Sequence, residues 1–130
     1  MKLLNNLFEI IESAGNSSGF LVTIRILPEH TIYKGHFPGY PVTPGVVFIQ
    51  IIHELVEYHL KKAIRLVEIS NCKFLKIVNP EKETNAVISA DVVLKDELLH
   101  VKASGKNSSG DFFKIDAVYS LSVQALFIKT

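Results

Sequence analysis

The stretch PGVVFIQIIHELVEYHLKK, residues 44–62, decides the fold. It contains no helix breaker after Gly45 and runs well past strand length, so it predicts one long helix. Its first two-thirds is apolar almost all round, and a helix of that kind is buried rather than laid on a surface. Pro44 suits the first helical turn, where its missing N–H costs nothing. Lys61, Lys62 and Arg65 follow, cations that complement the negative end of a helix dipole.

Something must cover that helix, and the flanking sequence supplies strands. Upstream, Phe20 to Leu27 alternates: Phe20, Val22, Ile24 and Ile26 share one face, Leu21, Thr23, Arg25 and Leu27 the other. Downstream, residues 67–78, 84–95, 98–106 and 112–128 are rich in β-branched and aromatic residues. Turn signals separate them at Asn79-Pro80, Asp96-Glu97 and Asn107 to Asp111. Links that short join antiparallel neighbours. At the start of the chain Leu3, Leu7, Ile10 and Ile11, with Leu4 and Phe8 beside them, recur at helical spacing. They predict an amphipathic first helix, ended by the AGNSSG cluster of residues 14–19. Its polar side carries Asn and Glu rather than Lys and Arg, which favours packing on the body over a membrane surface. The inventory is α+β: an antiparallel sheet of five or six strands curled around one long buried helix, in a single domain over residues 1–130. A doubly wound parallel sheet is excluded, because the helices it needs between the last strands are absent.

Composition narrows the function. The chain has 130 residues, enough to bury a core without disulfide staples. Fourteen basic residues against thirteen acidic give a net charge of +1, which argues against a general nucleic-acid binder. The single Cys72 can form no internal disulfide and fits a reducing, cytoplasmic setting as a small buried hydrophobe. No run approaches the roughly eighteen apolar residues of a membrane span, and the start fits a cleaved leader poorly. His30, His59 and His100 show no ligand spacing with one another or with Cys72, so no metal site is expected.

The chemistry is concentrated in Gly35-His-Phe-Pro-Gly-Tyr-Pro-Val-Thr-Pro-Gly45. Three prolines and three glycines in eleven residues fix its backbone. His36 sits inside this rigid loop. Gly45 follows Pro44 and lets another group approach the backbone closely. The amides of Gly45 and Val46 lie at the positive end of the buried helix, a ready site for a carbonyl oxygen gaining negative charge. A histidine base beside an oxyanion donor suggests proton abstraction next to a carbonyl. A structural turn with a hydrogen-bonded histidine would carry the same residues.

HFPGYPVTPGVVFIQ, residues 36–50, resembles the signature of the FabZ-type 3-hydroxyacyl-acyl carrier protein dehydratases. His36, Phe37, Pro38, Gly39, Pro41, Pro44 and Gly45 match it. The lead-in PEHTIYKG (28–35) and the later CKFLKIVNP (72–80) extend the resemblance over most of the chain. It implies the hotdog fold, an antiparallel sheet wrapped around one long helix, and an assembly of two or more chains with sites at the interface. It implies that His36 takes the C2 proton of an acyl thioester and that the Gly45 amide, with Val46 beside it, binds the thioester carbonyl. Phe37 and Tyr40 would contribute to substrate binding, Tyr40 either gating an acyl tunnel or covering the loop. Lys73 and Lys76 fall near the basic residues that meet the acidic carrier protein, and their odd spacing would let only one face it. The acyl group would arrive on a phosphopantetheine arm of acyl carrier protein or coenzyme A, with no metal or redox cofactor.

One departure matters. Where the resemblance implies a carboxylic acid the chain holds Gln50, which hydrogen-bonds but cannot deliver a proton. Glu54 lies one turn further along the same helix face, as though the pair were exchanged. It is one candidate acid, and it could equally satisfy a buried polar contact. His53 is a second candidate, with a core histidine as its plain reading. A carboxylate from a related partner chain is the third, making this chain a non-catalytic or half-catalytic member of a heterodimer. Thioester hydrolysis on the same scaffold is a further alternative. Thr43, before Pro44, is placed to cap the helix and compete for the amide of Gly45 or Val46.

Overall fold

The computed structural model describes residues 2–33 and 42–121. Six strands form one sheet: β1 (Phe8–Asn16), β2 (Gly19–Ile26), β3 (Ile64–Phe74), β4 (Asn85–Lys95), β5 (Leu98–Asn107) and β6 (Gly110–Leu121). Their spatial order is β1-β2-β4-β5-β6-β3, and every pairing is antiparallel. A short 3-10 turn covers Thr31–Tyr33, and a single α-helix, α1, covers Gly45–Leu60.

The alternation in β2 is realised. Val22, Ile24 and Ile26 are fully buried, whereas Leu21 points outward. Ala86, Ile88, Ala90 and Val92 of β4, Leu99, Val101 and Ala103 of β5, and Phe113, Ile115, Ala117 and Tyr119 of β6 complete the inner face. Helix α1 lays Val47, Phe48, Ile51, Ile52, Leu55 and Val56 on that face. Burying each of the larger side chains stabilises the fold by about 1.5–3 kcal/mol. Bulges at Leu66/Glu68 and Ile69/Asn71 of β3, and at Ile10/Glu12 of β1, bend the sheet at both edges, which helps it curl around the helix. The result is the wrapped sheet expected from the sequence. No helix among the described residues is long and apolar enough to cross a membrane.

The chain start corrects the expectation of a first helix. Residues 3–8 make a single compact turn in which the Leu3 carbonyl accepts from the amides of Asn6, Leu7 and Phe8. Asn5 is left-handed at φ 66°, which no helix continues through. The chain then runs into β1 and pairs with β2, and AGNSSG forms the hairpin rather than a helix end. Leu3 and Leu7 are buried because the turn folds them inward. Boundaries shift elsewhere: β3 starts at Ile64 and ends at Phe74, and β6 begins at Gly110.

Candidate functional site

A groove of about 400 Å³ opens where α1 begins. Thr43, Gly45, Phe48, Phe74, Ile77 and Phe112 line it, with Lys76 at its margin. The walls are aromatic for a local reason. Phe48 of α1 lies 4.8 Å from Phe112 and 5.7 Å from Phe113, and Phe113 stacks on Phe74 at 5.5 Å, centroid to centroid. The helix start, the end of β3 and the start of β6 are joined by these rings.

Gly45 is required by this packing. A Cβ there would lie 2.5 Å from Cε1 of Phe74, so only glycine lets the ring rest against the backbone. The amides of Gly45 and Val46 are the first of α1, and neither has an acceptor within the helix. Val46 itself is 68% exposed. The groove therefore meets backbone N–H groups at the positive end of a 16-residue helix.

The capping role expected of Thr43 is corrected. Pro44 occupies the N-cap position, and among the described residues no side chain caps α1. The Thr43 hydroxyl instead lies 3.0 Å from the Tyr33 hydroxyl, and its amide donates to the Val78 carbonyl. Burial holds the Tyr33 hydroxyl above its ordinary pKa, with the bond to Thr43 acting the other way. Thr43 thus fastens the loop to the core and does not contend for the Gly45 or Val46 amide.

Further along α1, Gln50 and Glu54 form one unit. Gln50 Nε2 donates to Glu54 Oε2 at 2.8 Å. Glu54 is buried, and both of its oxygens accept from the Leu3 amide at 2.9 and 2.8 Å, while Oε1 also accepts from the Leu4 amide at 2.8 Å. Its acceptor positions are therefore filled by N–H donors, the arrangement of a satisfied buried carboxylate rather than of a group holding a proton for delivery. His53 turns to the other side. Its Nε2 lies 3.5 Å from Glu57 Oε2, and its ring meets Tyr119 edge-on.

The remaining candidates separate clearly. His36, Phe37 and Tyr40 lie outside the described residues. Lys76 borders the groove and donates to the Ser109 carbonyl, whereas Lys73 pairs opposite Lys114 within the sheet. Burial raises the pKa of the Cys72 thiol, which disfavours the thiolate a nucleophile would need. His30 accepts from the Ile32 amide, and His59 lies within hydrogen-bond distance of Ser13 and the Leu55 carbonyl. Among the described residues no cluster of His, Cys, Asp and Glu could hold a metal. Sequence reasoning missed Phe74 and Phe112 as groove walls, and their aromatic character within predicted strands was the available signal. It also missed the Leu3 and Leu4 amides, for which a sequence carries no signal at all.

Comparisons with known proteins agree with this geometry. The ApeI-like family, described as ApeI dehydratase, matches residues 12–110. A protein named 3-hydroxyacyl-[acyl-carrier-protein] dehydratase FabZ from Lactiplantibacillus plantarum is 28% identical, over 62% of this chain and 63% of its own length. One of the same name from Wolbachia pipientis wMel is 30% identical, over 58% of this chain and 68% of its own. The chain thus spans about two-thirds of the length of these relatives. Among solved structures, the dehydratase heterocomplex ApeI:P from Xenorhabdus doucetiae superposes with a TM-score of 0.68 at 17% identity, covering 84% of this chain and 95% of that one. A hypothetical thioesterase solved with coenzyme A from Streptococcus pneumoniae TIGR4 gives 0.64 at 12%, covering 88% and 85%. At those identities the likeness is one of fold, the hotdog shared by dehydratases and thioesterases.

Proposed function

The chain belongs to the ApeI-like dehydratase family, and from that premise we propose that it acts on 3-hydroxyacyl thioesters, eliminating water to give the trans-2-enoyl thioester. The groove at the start of α1 carries the proposal, because an apolar slot ending on backbone N–H groups suits an acyl chain attached to a carbonyl. The Gly45 amide, with Val46 beside it, receives the carbonyl oxygen as negative charge builds on it. His36 takes the C2 proton as the C2=C3 bond forms. The C3–O bond breaks, and the departing oxygen leaves as water once it gains a proton. Phe37 and Tyr40 cover the acyl chain. Acyl carrier protein or coenzyme A presents the thioester on its phosphopantetheine arm, with Lys76 rather than Lys73 meeting the carrier. The reaction needs acid and base but no metal or redox cofactor, and it belongs in the cytoplasm.

A second reading rests on Gln50 and Glu54. Gln50 has no proton to give, and the oxygens of Glu54 are filled by amide donors. The departing hydroxyl would then receive its proton from a carboxyl of a second, related chain. On that reading this chain is one subunit of a hetero-oligomeric dehydratase, and the Xenorhabdus doucetiae protein of the same fold is itself a dehydratase heterocomplex. The edge strand β3 offers the surface for such a partner or for a second copy of this chain. Leu66, Val67 and Ile69 are exposed along it.

An interconversion assay on the purified chain decides among these readings, with a 3-hydroxyacyl thioester and its enoyl product as substrates. Wild-type turnover lost in His36→Ala supports a self-sufficient dehydratase. Silence in the wild type with activity gained in Gln50→Glu supports the subunit reading. Release of free thiol without enoyl product assigns hydrolysis instead. No reaction in any variant, and no binding of either thioester, overturns the proposal.

A further inference from the structure

Three segments converge at one corner of the sheet: Lys76 just beyond β3, the β3–β4 loop, and the β5–β6 turn. The loop is folded on itself, since the Lys82 and Glu83 amides donate to the Asn79 carbonyl. The Glu83 carboxylate reaches the turn, where it accepts from the Ser108 hydroxyl at 2.6 and 2.7 Å and from the Ser109 hydroxyl at 2.9 Å. Those hydroxyls, Ser108 foremost, hold its carboxyl below the ordinary pKa and so keep it an acceptor. The Ser109 amide donates to Asn107 Oδ1 at 2.9 Å. With its amide and hydroxyl both tied, Ser109 offers its carbonyl to the Lys76 ammonium, which donates to it. Gly110 leaves room for that ammonium: its φ is +106°, and a Cβ there would crowd Nζ at 3.2 Å.

Lys76 also lines the groove at the start of α1. We propose that Glu83 is a positioning residue that, through the β5–β6 turn, holds the Lys76 ammonium at the groove margin to receive the phosphate at the end of a pantetheine arm. The inference rests on the reading above that the groove takes an acyl group carried on such an arm. An ammonium has three N–H donors, and the Ser109 carbonyl takes one. A carbonyl is neutral, so the positive charge is fixed in place without being cancelled. Among the described residues no carboxylate lies within ion-pair distance of Lys76, whereas Lys114 pairs with Asp111 at 3.9 Å. Phosphate is the acceptor that fits, because it is the one anionic group on an arm whose amides and hydroxyl are neutral. A lysine on a free stem would lose rotamer freedom in reaching it, and Lys76 has lost that freedom already on folding. Glu83 is not a catalytic residue in this scheme, since it acts only through Lys76.

The sign of one substitution separates positioning from plain electrostatics. Glu83 is an anion, so its removal would strengthen the hold on phosphate if charge alone counted. If Glu83 aims Lys76, its removal weakens that hold. The probes are the 3-hydroxydecanoyl amides of aminopantetheine, with and without the terminal phosphate, titrated into the full chain. Their amide link, in place of the thioester, resists hydrolysis and elimination. The wild type should bind the phosphorylated probe roughly five- to tenfold more tightly at low salt, the worth of one exposed charge-assisted bond, and added salt should shrink the ratio. Lys76→Met should bring the ratio to about one. Glu83→Ala should lower it roughly twofold or more, as the freed lysine regains its rotamers. Lys73→Met should leave it where it was.

A ratio raised or unchanged by Glu83→Ala overturns the inference, and so does a loss in Lys73→Met equal to that in Lys76→Met. Should Glu83→Ala not fold, Ser108→Ala combined with Ser109→Ala removes the same bonds without touching a charge and decides instead. The same acyl amide on coenzyme A and on an acyl carrier protein separates the two sources of the phosphate. Weaker binding by Lys76→Met with either supports the inference and names the source, and weaker binding with neither overturns it. Equal binding of the two probes by the wild type overturns the inference alone, whereas binding of neither overturns the acyl-thioester reading and the inference with it.

Discussion

At one edge of the sheet, β1 turns Glu12, Ser13 and Asn16 to solvent together with one large apolar side chain, Ile11, and Glu9 is paired to Arg25 at 3.0 Å. At the other, β3 also exposes charges, Arg65, Glu68 and Lys73, but turns out four large apolar side chains among them, Leu66, Val67, Ile69 and Phe74. Both edges are bulged, so bulging is not what distinguishes them. The side chains are. Charges and short polar groups along an edge discourage another strand, and a greater number of exposed apolar side chains invites one. The difference makes β3 the edge to test for association with a second chain.

The sharpest way to break this comparison is to charge β3. Val67→Lys combined with Ile69→Lys should weaken chain–chain association by about a thousandfold, read by light scattering on a sizing column. Ile11→Lys, on β1, should leave the oligomeric state unchanged. An equal effect of the two would abolish the distinction between the edges.

Next comes Tyr119, which pairs opposite Leu66 beneath the β3 edge. Its hydroxyl is buried with no hydrogen-bond partner among the described residues, and burial pushes its pKa from 10.0 up to about 12. The folded state therefore favours the neutral phenol. That contribution is fully present below pH 10 and is lost as pH rises toward 12. It amounts to about 2–3 kcal/mol, visible in urea midpoints taken across the alkaline range. Tyr119→Phe should flatten this limb and leave neutral-pH stability equal or higher.

On the β1 side, Gly15 has φ +136°, and a Cβ there would lie 2.3 Å from the Gly19 carbonyl oxygen. Gly15→Ala should cost about 1–3 kcal/mol in thermal or urea unfolding, because no L side chain adopts that conformation without strain. Smallest of all, Arg25→Ala should cost less than about 1 kcal/mol, since its pair with Glu9 is exposed and screened. A larger loss would mean that β1 depends on its charges for stability as well as for keeping strands away.

The same contrast explains what was legible in the sequence. Strands β4, β5 and β6 were readable because their period-two pattern is regular and their turns carry plain signals. Asp96 and Glu97 both have positive φ, as the tight β4–β5 turn requires. The buried helix was readable because α1 is long and uninterrupted. The chain start was not readable, because one compact turn places Leu3 and Leu7 at the spacing of a helix, and the bulge at Ile10/Glu12 then breaks the alternation that would have announced β1. At the candidate site, Gly45 and the Gln50–Glu54 pair were visible as residues and as spacing. The direction of the Thr43 hydroxyl was not, because Tyr33 lies ten positions away and no local rule favours it over the adjacent amide. The partners of Glu54 were further out of reach, fifty and fifty-one positions earlier in the chain.

Those partners are main-chain hydrogens, and this bears on how the chain tolerates change. Every amino acid except proline would bring the same N–H to position 4, whatever side chain it carries. Leu4 can therefore drift through many substitutions without disturbing Glu54, and relatives that share these bonds need share no residue there. A single Leu4→Pro exchange would remove a bond that no choice of side chain at that position could restore.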